Sequence, residues 1–209
     1  MRIESEKIVV ETKNGHLEAL IDKPSENSQS NEYFAVCCHP HSLHGGTLTN
    51  KVVYTLSRAM AAKGIPSMRF NFRGVGKSDG IYDGGVGEQE DLVNVVSWMQ
   101  ERYPNKKLIL GGFSFGAFVS IMAAKQLNPE MLISIAPPVG RFDFSMMGSP
   151  LCRWSIIQGE EDELVKCNDV EHWSKGLGNH LSFIKIEGAS HFFHGKLVEL
   201  RSIVENIIG

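Results

Sequence analysis

The sequence predicts a doubly wound α/β sheet, mostly parallel, of about eight strands with an antiparallel hairpin at its start. Three observations predict it. Strand-like and helix-like runs alternate from residue 33 onward. Before that point two β-prone runs flank Lys13-Asn14-Gly15, and Asn-Gly between strands is a hairpin signal. Near the middle, Gly112-Phe113-Ser114-Phe115-Gly116 joins a buried strand-like run to a helix-like one, so a hydroxyl sits where the chain reverses sharply.

Taken in order, residues 7–11 and 16–21 form the hairpin, and the polar stretch 23–32 reads as a surface loop. Tyr33-Phe34-Ala35-Val36-Cys37-Cys38 is continuously apolar, as a central parallel strand covered on both faces must be. Residues 50–62 place Val52, Val53, Leu56, Ala59 and Met60 at the spacing of an amphipathic helix, closed by Lys63-Gly64. A strand is expected over 67–72, then a helix over 88–103 that stops at Pro104. Strand 107–110 and helix 117–126 flank the reversal, and 131–136 is a strand ended by Pro137-Pro138. Two further strands, 154–158 and 181–186, bracket a short helix at 169–175. An amphipathic helix at 196–208 carries Leu197, Leu200, Ile203, Val204 and Ile207 on one face.

A chain of 209 residues is long enough for one domain with a full core, and no linker or repeat divides residues 1–209. Hydrophobic residues make up 42% and charged ones 22%, the balance of an ordinary globular protein. A formal net charge of −3 gives no electrostatic case for nucleic acid or an anionic membrane as partner. The charged start, Met1-Arg2-Ile3-Glu4, lacks the apolar core of a signal peptide, so a cytoplasmic location is the expectation. Cys37 and Cys38 should face opposite sides of the sheet, and with Cys152 and Cys167 they read as small buried hydrophobes.

The chemistry begins at Ser114. A serine hydroxyl is a poor nucleophile at neutral pH and needs a base, commonly a histidine oriented by a carboxylate. In a strand–turn–helix arrangement of this kind the chain order is Ser, acid, His, and two downstream loops fit it. Gln158-Gly159-Glu160-Glu161-Asp162-Glu163 follows a strand and offers a row of acids. Asp162 is preferred as a short carboxylate after a glycine turn, with Glu160, Glu161 and Glu163 read as solvated. Glu187-Gly188-Ala189-Ser190-His191 follows the last strand, and from there His191 can swing toward Ser114. His194 competes, but at the start of the last helix a capping or surface role fits it better.

Attack on a carbonyl also requires donors for the oxyanion. Phe115, directly after the nucleophile, supplies one N–H, and the loop His39-Pro40-His41-Ser42-Leu43-His44-Gly45-Gly46 supplies the other. Pro40 has no N–H, so His41 is the second candidate. His39, His41 and His44 also raise a metal reading, but no acid or cysteine completes a ligand set in that loop, and no metal is expected.

Together these motifs, with Asn71-Phe72-Arg73-Gly74-Val75-Gly76-Lys77-Ser78, resemble the α/β-hydrolase superfamily from about Tyr33 onward. In detail the chain is similar to small bacterial hydrolases of the dienelactone-hydrolase-like and carboxylesterase branch. The glycine-rich Gly74 to Ser78 segment lacks the spacing of a phosphate loop. The resemblance implies an α/β-hydrolase fold and the triad Ser114, Asp162 and His191; spacing alone leaves the acid open. Dienelactone hydrolases carry cysteine as nucleophile and haloalkane dehalogenases aspartate, whereas this chain has Ser114. Many relatives insert a helical lid between the sixth and seventh strands. Here residues 137–153 hold only a loop with at most one helical turn. Its Phe142, Phe144, Met146 and Met147 either line an acyl pocket or pack on the sheet edge or a second subunit, so a homodimer is permitted. The expected activity is hydrolysis of small carboxylic esters without a cofactor. A thioester, a small peptide, or non-catalytic binding are the rivals.

Overall fold

The computed structural model describes residues 3–24, 32–148, 150, 152–178 and 181–209. Most of the expected surface loop at 23–32, and Ser149 and Leu151 of the 137–153 loop, lie outside the described residues.

Among the described residues eight strands form one sheet: β1 (Glu4–Thr12), β2 (Gly15–Lys23), β3 (Tyr33–Cys38), β4 (Ser67–Phe70), β5 (Lys107–Phe113), β6 (Met131–Ile135), β7 (Arg153–Gly159) and β8 (Leu181–Ile186). Their order is β1-β2-β4-β3-β5-β6-β7-β8. The β1–β2 and β2–β4 pairs are antiparallel and every later pair is parallel, so the hairpin caps one edge of a parallel sheet. Among the described residues five α-helices complete the fold: α1 (Lys51–Ala62), α2 (Val86–Arg102), α3 (Phe115–Leu127), α4 (Cys167–Lys175) and α5 (Leu197–Ile208).

The helices cover both faces, which is why the central strands are apolar throughout. On one face Leu56 and Met60 of α1 and Leu200 and Val204 of α5 pack against Ile109, Ile133 and Ile157. On the other, Leu92 and Met99 of α2, Val119 of α3 and Val170 of α4 pack against Phe34, Leu110, Leu132 and Trp154. Cys37 and Cys38 fall into these two opposite layers, both fully buried. Burial pushes the Cys37 thiol up to about 12, so it packs as a neutral group.

Element ends moved by a few residues. The expected strand at 67–72 stops at Phe70, because the Phe72 N–H donates to a histidine ring, His39 Nε2, at 3.0 Å instead of to a strand. The strand at the reversal runs on to Phe113 and its helix starts at Phe115, with the turn compressed into Ser114. The described residues of the 137–153 loop hold no helix, only turns such as the one in which Arg141 and Phe142 N–H donate to Pro138 O, beside a bridge between Val139 and Phe142. No helix among the described residues is long and apolar enough to cross a membrane.

Strand register sets up the site. Phe113 lies beside Ile135, Ile135 beside Ile157, and Gly159 beside Ile186, so β5 to β8 end along one edge. The segments that follow β5, β7 and β8 therefore leave the sheet at the same end, the carboxyl end where ligands bind in open α/β sheets.

Candidate active site

Ser114 adopts φ 53° and ψ −118°, a left-handed backbone that costs a non-glycine residue about 1–3 kcal/mol. Neighbouring bonds over-determine it: Ser114 N–H donates to Ile135 O at 2.8 Å, and Ser114 O accepts from Ala117 and Phe118. The two glycines are required by close approach. A Cβ on Gly112 would collide with Gly116 O, and one on Gly116 would collide with Cys38 O. The second contact presses the end of β3 against the reversal and brings the histidine-rich loop beside it.

Ser114, His191 and Asp162 are brought together. Ser114 Oγ lies 3.2 Å from His191 Nε2, and His191 Nδ1 lies 2.8 Å from Asp162 Oδ2. The carboxylate only accepts, so Nδ1 carries the proton, Nε2 is left as acceptor, and the serine hydroxyl is the donor. Asp162 is buried, and its second oxygen accepts from Leu164 N–H at 2.9 Å and Val165 N–H at 2.7 Å. Gln158, fully buried on β7, donates its amide to Asp162 Oδ2 at 2.9 Å and to Val165 O at 3.0 Å. These neutral donors hold the acid in place without a fixed cation. The imidazole is buried as well, tilted on the Phe113 ring at 5.0 Å and edge-on to Phe192 at 5.1 Å.

His194 is exposed in the turn before α5 and does not cap that helix, whose N-terminal cap residue is Lys196 with no side-chain bond. The acidic run divides. Glu160 and Glu161 are exposed, as expected, whereas the Glu163 carboxylate accepts the backbone N–H of His191 at 3.0 Å. Sequence reasoning missed Glu163 and Gln158. Neither has a spacing signal, because each acts on a residue placed by the fold.

The histidine-rich loop separates into three different environments. His39 is fully buried, donates from Nδ1 to Pro40 O at 2.6 Å, and accepts the Phe72 N–H. Burial pushes its pKa down to about 4, so it is a neutral cross-link between two loops. His41 is half-buried with its ring 5.1 Å from that of Phe115, placing the loop residue next to the reversal. Its Nδ1 accepts Leu43 N–H, which leaves Nε2–H to donate to Tyr82 Oη at 3.2 Å. Burial, followed by the neighbouring His44, lowers its pKa. His44 is exposed and stacks on His41. Among the described residues no group of three or more His, Cys, Asp or Glu is arranged to hold a metal ion.

The apolar loop residues also part company. Phe142 stacks on Phe118 at 4.7 Å and lies 5.4 Å from Phe115, at the border of the serine corner. Phe144 is buried between Phe118 and Trp173 and also lines a groove beside Phe142. Met147 is half-buried and lines, with Phe142 and Trp173, the same open groove of about 460 Å³. Met146 is 82% exposed and is not among the described residues that line the groove.

With this geometry in view, the similarity to known proteins is specific. Residues 13–179 match the family described as X-Pro dipeptidyl-peptidase (S15 family). An uncharacterized protein, RP471 of Rickettsia prowazekii (strain Madrid E), is 37% identical over 190 residues, which cover 85% of this chain and 79% of that protein. The crystal structure of XC6422 from Xanthomonas campestris, described as an α/β serine hydrolase without a lid, superposes with a TM-score of 0.94 at 41% identity, covering 100% of this chain and 95% of that one. An α/β serine hydrolase homologue from Coxiella burnetii superposes at 0.93 and 41% identity, covering 98% and 97%. The chain therefore belongs to the α/β-hydrolase superfamily, within the family described as X-Pro dipeptidyl-peptidase (S15).

Proposed function

We propose that this protein is a serine hydrolase of small carboxylic esters, with Ser114 as nucleophile, His191 as base and Asp162 as the group that orients and stabilises it. The observation that carries the reading is the continuous hydrogen-bond path from Ser114 Oγ through the His191 ring to Asp162. As Oγ attacks the ester carbonyl, its proton passes to Nε2, and the buried carboxylate stabilises the imidazolium. The oxyanion takes hydrogen bonds from the N–H groups of Phe115 and His41. Phe115 is the first residue of α3, so no carbonyl of its own helix lies in position to accept its N–H. His191 then protonates the departing alcohol, leaving an acyl group on Ser114. Water, deprotonated by the same imidazole, attacks this acyl-enzyme, and collapse releases the acid and restores the serine. The chemistry requires only side chains and backbone amides. The short loop between β6 and β7 favours small substrates.

Replacing Ser114 by Ala is expected to lower kcat/KM for a p-nitrophenyl acetate-type ester by at least about a thousandfold. Retention of wild-type turnover in that variant would remove Ser114 from the reaction. A second reading, peptide hydrolysis, is favoured by the family match over residues 13–179. The same machinery serves any acyl transfer, so an X-Pro p-nitroanilide assayed beside the ester ranks the two. Faster turnover of the anilide would transfer the assignment to a peptidase.

A further inference from the structure

The acidic run after β7 ties the acid loop to the histidine loop with consecutive residues. Glu160 N–H donates to Ile186 O and Glu161 N–H to Ala189 O, each at 3.0 Å. Asp162 then takes the ring of His191, and Glu163 takes its backbone N–H. Gly159 permits the approach, since a Cβ there would collide with Ala189 O. The clasp matters because β8 is the edge strand among the described residues, with β7 as its one paired neighbour. That loop is irregular, with positive φ at Gly188, Phe193 and Gly195. The 3.2 Å separation between Nε2 and Oγ leaves little slack for proton transfer.

From this we infer that Glu163 is a positioning residue: by accepting the His191 N–H it fixes the backbone from which the imidazole reaches Ser114. The inference deepens the serine-hydrolase reading and rests on it. Adjacent carboxylates then divide the work, Asp162 orienting the ring and Glu163 the backbone that carries it. Glu163 is exposed, so the side chain can be replaced without opening the core.

The test uses the full chain with Glu163→Ala, Glu163→Gln and Ser114→Ala. Ester turnover and hydrogen exchange of the His191 amide are both followed. Losing one such bond predicts a kcat about tenfold lower in Glu163→Ala with KM within about twofold, and about tenfold faster exchange at His191. Glu163→Gln keeps an acceptor and is expected to return both values to within about threefold of wild type. Wild-type kcat in Glu163→Ala, or Glu163→Gln as slow as the alanine variant, overturns the inference. Full activity in Ser114→Ala would sink the hydrolase reading, while the exchange data still decide whether Glu163 holds the loop.

Discussion

Two buried aspartates, one at each side of the sheet, show how an acid paired with a cation differs from the acid proposed to orient His191. Asp22 lies on β2 in the antiparallel part and Asp162 follows β7 in the parallel part. Both are buried and both accept several hydrogen bonds. Asp22 receives a fork from Arg69 at 2.8 and 3.1 Å, with the hydroxyls of Ser5 and Ser57 at 2.5 Å each. Its charge is permanently answered. Asp162 is held by two amides, one glutamine and the imidazole, and among the described residues its ion-pair partner is His191 alone. A carboxylate surrounded by neutral donors stays available for the positive charge that the proposed reaction would place on His191. Burial alone would raise the Asp22 pKa, but the Arg69 bonds and charge, with both serines, hold it below the ordinary carboxylate range.

The largest effect that sharpens this contrast is in Asp162→Asn. Its amide cannot serve as a charged partner and favours the wrong imidazole tautomer, so kcat should fall by about a thousandfold or more while the fold persists. Steady-state ester kinetics together with a thermal melt check it, and near-normal turnover would break the distinction. Asp22→Asn should do the reverse. Stranding Arg69 in the core is expected to cost about 3–5 kcal/mol of stability in a denaturant titration, with turnover per folded molecule unchanged. The sign of its pH dependence follows from the lowered folded pKa. The wild-type advantage is complete above the unfolded carboxylate's titration near about pH 4, and it is lost as pH falls through the lower folded value. The stability gap between the two proteins should therefore close in acid. The smallest effect is expected at Met146, outside both regions: with its side chain in solvent, Met146→Ala should change stability by less than about 0.5 kcal/mol and leave ester kinetics alone. A clear rise in KM would return Met146 to the substrate site.

The features legible in the sequence are those written in consecutive residues. Gly112 to Gly116 predicts its own reversal because two missing side chains and one strained serine are local facts. Apolar patterns foretell strands and helices for the same reason, while a distant partner can move their ends, as His39 does at Phe72. Equal residue types were harder to separate. His39, His41 and His44 lie within six residues, yet one is a buried cross-link, one borders the serine corner and one faces solvent.

By itself the sequence determined the fold class, the position of the strained serine and the chain order of serine, acid and histidine. Tertiary structure alone decided which acids of the 160–163 run engage His191, that Phe144 is buried and Met146 exposed, and that Gln158 supports the acid. The physical reason is separation along the chain. His191 lies 77 residues from Ser114 and 29 from Asp162, and such bonds exist only because parallel strands in register release their loops at one edge of the sheet.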